Sequence, residues 1–186
     1  LDPSGQLVFQ WRSIDHLSFD ESDPSLLTGL AVNFTHGNAI EMDADGLPLV
    51  SFRSLDEIVK IDTATGNIVW RFGGPSSQFT ILNDTKGSFQ RQHGLRVVGQ
   101  DHLQFLDNGT QIPSRLVRYT LDTVAMTATM DWEFIDSPTT FSAVGGATQV
   151  LSNGGALVTF GPAGRVVEVD GDGNRAWELS GINGTY

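Results

Sequence analysis

The sequence predicts an all-β protein of the β-propeller type, built from four-stranded units. Three observations carry that reading. First, all four tryptophans sit in one kind of segment: "DPSGQLVFQWR", "DTATGNIVWRF", "DTVAMTATMDWEF" and "DGDGNRAWEL". In each, an aspartate opens a tight turn and a return strand closes on Trp11, Trp70, Trp132 or Trp177, followed by a charge. This is β-hairpin punctuation. Second, "HGNAIEMDADGLPLVSF", "HGLRVVGQDHLQFLD" and "GGATQVLSNGGALVTF" align through Gly37, Gly94 and Gly146, and each reads as another hairpin placed before a Trp hairpin. Third, the tryptophans recur every 45–62 residues, close to the roughly 40–50 residues of known propeller repeats once two longer loops are allowed for.

Taken in order, residues 1–12 close a preceding blade, and residues 17–30 are the one stretch ambiguous between helix and loop. Complete blades are expected over roughly 31–75, 90–135 and 143–180, with loops around 75–90 and 107–114. Helical periodicity of useful length is absent. Three and a fraction blades do not close a ring, since propellers typically have about 4–8. The remainder is therefore expected from a longer protein or from another chain.

Composition narrows the function. Twenty-two acidic residues stand against eleven Lys and Arg, for a net charge of −11, so no basic surface is offered to a nucleic acid. Many of the acids, such as Asp43, Asp45, Asp62 and Asp170, fall in turns, where they cap backbone groups. No apolar run approaches the roughly 18 residues of a membrane span. With no cysteine there are no disulfides or thiolate metal sites, and the compartment stays open. Asn-x-Ser/Thr sequons begin at Asn33, Asn83, Asn108 and Asn183.

Two of the four histidines, His36 and His93, head the first strands of two consecutive units. In a propeller those strands line the central channel, so both rings are expected at one channel mouth. Gly145 takes the same slot in the third unit. The plainer reading is that each histidine satisfies backbone groups of its own strand. Neither a nearby carboxylate nor a third histidine at ligand spacing supports a metal. His16 lies in a loop able to cover the mouth, and His102 follows a turn. Arginines are scarce, so their places are informative: Arg53 and Arg115 follow the inner hairpins of two units, and Arg91 and Arg96 flank His93. Guanidinium forks suit tetrahedral oxyanions.

The ordered set His-x-Asn, Ser-x-Arg, Ile-Asp-x-x-Thr-Gly, Trp-Arg-x-Gly-Gly, Gln-His and Asp-Asn-Gly, running over about residues 9–180, resembles the arylsulfotransferase (aryl-sulfate sulfotransferase) family. The resemblance implies a six-bladed propeller that moves a sulfuryl group from an aryl sulfate to a phenol. It does so by ping-pong through a sulfated histidine, without a nucleotide donor and with no cofactor. Carried over by motif, His36 and His93 are catalytic-pocket residues with Arg115 as the arginine, while Asn38 and Arg53 bind substrate. The histidine that takes the sulfuryl group belongs to a later blade, where this sequence has Gly145, so it is expected outside this chain. A periplasmic or extracellular location is expected with such an activity. Two other classes compete: a non-catalytic propeller module for binding or assembly, and a quinone-dependent dehydrogenase, for which no dense acidic calcium site is visible.

Overall fold

The computed structural model describes residues 1–111 and 113–182. Its strands form three sheets, each wound in simple antiparallel order. The first contains β1 (Gly37–Met42), β2 (Pro48–Phe52), β3 (Glu57–Ile61) and β4 (Ile68–Gly73). A short β5 (Thr80–Leu82) precedes the second, made of β6 (His93–Val98), β7 (His102–Asp107), β8 (Arg115–Asp122) and β9 (Thr127–Phe134). The third contains β10 (Ala147–Val150), β11 (Ala156–Thr159), β12 (Arg165–Val169) and β13 (Arg175–Ser180). The protein is all-β, as its sequence predicts. β5 is an addition: it runs parallel to β9, pairing Thr80 with Thr127 and Leu82 with Thr129, and makes the second sheet five-stranded.

The hairpins form where short-range chemistry dictates. Asp62 donates its N–H to the Asn67 carbonyl at 2.9 Å, accepts from Gly66 N–H at 2.8 Å, and caps Ala64 N–H with its carboxylate at 2.8 Å. Asp170 repeats the arrangement with Asn174 and Gly173. Each Trp strand then crosses its neighbour at the same place. Trp70 faces Lys60, Trp132 faces Arg118 and Trp177 faces Glu168, and a register shift follows each partner at once. The repeat seen in the sequence is thus a repeat of geometry.

Apolar faces meet between sheets. One core joins Leu49, Ile58 and Phe72 of the first sheet to Leu95, Phe105 and Tyr119 of the second. Another joins Leu106, Leu116 and Phe134 to Val158 and Val167 of the third and to Phe160, which follows β11. The inner strands β1, β6 and β10 lie side by side. β6 approaches β10 so closely that a Cβ on Gly94, whose φ is +65°, would sit 2.6 Å from Thr148 N, and only glycine fits.

Leu1–Arg12 contains no strand, although the sequence predicts a closing hairpin there. The turn is present, with Asp2 bonded to Gln6 and Gly5 at 2.9 Å. The flanking segments lack a ladder to join, and an isolated two-stranded hairpin is marginal in water. Trp11 nonetheless packs forward, donating Nε1–H to the Gly66 carbonyl at 3.1 Å on the outer turn of the first sheet. The ambiguous stretch is a series of 3-10 turns at Ser13–Asp15, Phe19–Glu21 and Pro24–Leu27. It is held down by Arg71, which binds Glu57 of β3 and pairs with Glu21 through both terminal nitrogens at 3.0 and 2.8 Å. Among the described residues no helix is long and apolar enough to cross a membrane.

Candidate functional site

Antiparallel winding puts the starts of β1 and β6 at the same end of the molecule as the ends of β2 and β7. His36, Arg53, Asp56, Arg91, His93 and Gly145 all belong to that end. Gln92 stitches the two halves together. Fully buried, it donates Nε2–H to Ser51 Oγ and to the Glu57 carbonyl, both at 3.0 Å, while its main-chain carbonyl accepts from Asn38 Nδ2 at 2.7 Å. Only its place in the Gln-His pair signals this role in the sequence. A polar side chain buried across two sheets is otherwise invisible there.

His36 is half-buried, with φ at +50°. Asn33 Nδ2 donates to its Nδ1 at 2.7 Å, so the neutral ring carries its proton on Nε2. Burial, and then the charge of Arg53, hold its pKa below the usual histidine value. His93 is 9% exposed and more tightly bound. Asn108 donates Nδ2–H to the carbonyls of Ser142 at 2.7 Å and Gly145 at 2.9 Å, which fixes its Oδ1 as an acceptor toward His93 Nδ1 at 2.9 Å. Nδ1–H also faces the Arg91 carbonyl at 2.9 Å, and Nε2 accepts from Gly145 N–H at 3.3 Å. His93 is therefore neutral and fixed in one tautomer. Burial is the main cause of its lowered pKa, with Arg53 and His36 adding to it. The two rings share one electrostatic neighbourhood.

Arg53 supplies the charge in that neighbourhood. Its N–H donates to the His36 carbonyl at 3.0 Å, the residue is 8% exposed, and its buried Nε has no hydrogen-bond partner. Among the described residues its guanidinium forms no ion pair within hydrogen-bonding reach. Burial and the neighbouring Arg91 push its pKa down, and Asp56 opposes them. A largely buried cation with no direct ion pair among the described residues leaves room for an anion at its open edge.

Arg115 takes no part here. Its side chain is fully buried and paired with Asp84 at 2.8 Å, Asp107 at 2.7 Å and Glu133 at 2.9 Å, with Ser88 O as a further acceptor at 3.1 Å. The expectation that it holds the sulfuryl group is corrected: every edge of its fork is occupied, and its work is to tie the 84–88 loop to β8. Asn38 is likewise a strut, its amide nitrogen committed to Gln92. His16 stacks on Trp11 at 4.7 Å, and His102 sits between Asp101 and Asp131 at the far end of β7. Among the described residues no cluster of three or more metal-ligating side chains occurs.

Beside the site opens a cavity of about 580 Å³, bordered by Asp56, Pro75, Phe89, Gln90 and Asp107. Asp56 is half-buried and in the left-handed region, and its pKa is raised by burial although Arg91 N–H donates to its Oδ1 at 2.6 Å.

Comparison with known proteins gives the same architecture. The chain superposes on a streptogramin B lyase (TM-score 0.55, 19% identity, covering 83% of this chain and 44% of that one). It also matches virginiamycin B lyase from Staphylococcus aureus (0.51, 16%, 87% and 45%). A third match is the β-propeller domain of Myceliophteria thermophila Cps50 (Swd1) (0.52, 12%, 81% and 45%). These likenesses show the propeller fold, and the chain spans less than half the length of each of these structures. No curated protein matches the chain. The model of the arylsulfotransferase (ASST) family, however, matches residues 1–182. With the ordered motifs and the propeller sheets already in place, the chain belongs to the arylsulfotransferase family.

Proposed function

We propose that this chain forms the sulfuryl-holding part of a nucleotide-independent arylsulfotransferase, which moves a sulfuryl group from an aryl sulfate to a phenol. The observation that carries the reading is Arg53: a residue 8% exposed, with a buried Nε that lacks a hydrogen-bond partner and no ion pair among the described residues, whose charge is felt by two histidines of lowered pKa. A sulfate ester fills that electrostatic gap. Sulfuryl transfer, like phosphoryl transfer, needs in-line positioning and charge stabilisation more than elaborate covalent machinery. Arg53 and the Nε2–H of His36 donate to the non-bridging oxygens, and His93 shapes the wall between the two sheets. The histidine that becomes sulfated is supplied from outside this chain, as is the rest of the ring. Secretion to the periplasm or the exterior, and independence from nucleic acid and membrane, belong to the same reading.

The test is transfer from 4-nitrophenyl sulfate to phenol by the full-length protein without added nucleotide. His36→Ala is expected to lower the rate roughly a hundredfold, on the scale of losing one oxyanion donor. Absence of transfer across several aryl sulfates would leave a second reading, a non-catalytic binding or assembly propeller. One observation favours that alternative: both ring nitrogens of His93 are already engaged by the protein.

A further inference from the structure

Arg91 stands out as a rigid backbone carrying a loosely held charge. Its φ is +53°, its N–H donates to Asp56 Oδ1 at 2.6 Å, and its carbonyl faces His93 Nδ1 at 2.9 Å. The next residue is the buried Gln92 plug. The base of the side chain therefore cannot drift. Its guanidinium, by contrast, has one ion-pair partner among the described residues. That partner is Asp23, at 3.7 Å, and the two side chains are 33% and 47% exposed. Such a pair is worth little and exchanges readily. Asp56 bridges the backbones of the two arginines, since its N–H donates to the Arg53 carbonyl at 3.3 Å. The Asp56 carboxylate feels both guanidinium charges, that of Arg91 more strongly than that of Arg53, and Arg53 has no ion pair of its own among the described residues.

We propose that Arg91 is the second arm of the oxyanion site, a specificity-determining residue that Asp23 occupies when the site is empty and that a sulfate ester takes over on binding. The inference rests on the sulfuryl-site reading above. No covalent step is involved: one carboxylate leaves the guanidinium and one sulfate oxygen replaces it. The 3-10 segment carrying Asp23 is anchored separately through Glu21 and Arg71 and through Ser22, whose hydroxyl donates to the Ser54 carbonyl at 3.2 Å. Releasing Asp23 therefore does not require undocking the segment. Two guanidiniums near enough to feel each other's charge also suit a tetrahedral oxyanion better than a planar carboxylate, which one fork already saturates.

Calorimetric titration of the full chain with 4-nitrophenyl sulfate, inorganic sulfate, inorganic phosphate and acetate tests this. Arg91→Ala is expected to weaken 4-nitrophenyl sulfate about tenfold or more, with Arg91→Lys intermediate, and to narrow its preference over acetate. Asp23→Asn is expected to tighten binding about two- to fivefold, the scale of an exposed ion pair, and to have no effect once Arg91 is alanine. Thermal melts establish that each variant is folded. Wild-type affinity in folded Arg91→Ala and Arg91→Lys, or an equal Asp23→Asn effect in both backgrounds, overturns the proposal while leaving the underlying reading intact if Arg53→Ala still abolishes binding. Binding of none of the sulfates by the wild-type chain sinks both. Phosphate binding more than tenfold tighter than sulfate overturns the assignment to sulfate esters.

Discussion

Asn108 Oδ1 lies 2.9 Å from His93 Nδ1, and its amide nitrogen reaches the Ser142 and Gly145 carbonyls on the far side. One side chain thereby sets the tautomer of the histidine and joins the second sheet to the approach of the third. Because Asn108 is fully buried and its amide nitrogen is engaged, a glycan on the sequon that begins there would not fit this fold. Asn108→Ala leaves the Ser142 carbonyl without its donor, weakens the hold on the Gly145 carbonyl and on His93 Nδ1–H, and is expected to destabilise the chain by about 1–3 kcal/mol. Urea denaturation measures it; a change below about 0.5 kcal/mol would mean that water replaces the amide without loss.

Arg115 and Arg53 are expected to behave in opposite ways. Removing Arg115 strands buried Asp84 and Asp107, so Arg115→Ala is expected to cost about 3–5 kcal/mol. Arg53→Met removes an unpaired cation and is expected to leave stability unchanged or raised by about 0.5–2 kcal/mol, while sulfate binding disappears. Denaturation curves and titrations on the same two proteins decide the matter. Stability loss in both would make Arg53 a structural residue.

Acidification is expected to weaken the fold earlier than carboxylate titration alone would. Burial lowers the pKa of both His36 and His93 from the ordinary value of 6.5, so in that window the unfolded chain binds more protons than the folded one. Their stabilising contribution is complete above pH 6.5 and is lost as pH falls through the folded-state values. Urea midpoints at pH 7.5 and 5.5 should differ, and the difference should shrink in the His36→Gln, His93→Gln double variant. Bound sulfate reverses the trend for His36, because an oxyanion favours the imidazolium; its ring-proton titration followed by NMR should move upward.

Trp70, Trp132 and Trp177 occupy one position of the repeat and differ in what covers them. Trp70 is 5% exposed and packs edge-on against Phe79, whereas Trp177 is 49% exposed on the outer strand of the third sheet. Trp70→Ala is expected to cost about 3–5 kcal/mol and Trp177→Ala less than about 1. Iodide quenching should likewise be lost mainly with Trp177→Phe. Equal penalties for the two would contradict the packing described above.

Much of this architecture was legible because its signals are local. Asp62 with Gly66, and Asp170 with Gly173, set turns within five residues, and Trp70, Trp132 and Trp177 mark the strand that returns. The placement of His36 and His93 at the heads of neighbouring inner strands was legible too, since repeats convert sequence register into position. What the sequence concealed is long-range. Arg115 follows an inner hairpin just as Arg53 does, yet Asp84, 31 positions away, claims it, while Arg53 forms no ion pair among the described residues. β5 escaped notice because three residues carry no periodicity of their own and pair only once β9 exists to receive them.

The Gln92 plug makes the site a property of a seam. Arg53 and His36 ride on the first sheet, Arg91 and His93 on the second, and the site is assembled only while the two sheets are docked. Any oxyanion that bridges the seam consequently acts as a clasp, stabilising docking by RT ln(1 + [L]/Kd) and leaving sheet interiors unaffected. Amide hydrogen exchange should then slow selectively along β1 and β6 when sulfate is present, so that the breathing of the propeller itself becomes the reporter of occupancy.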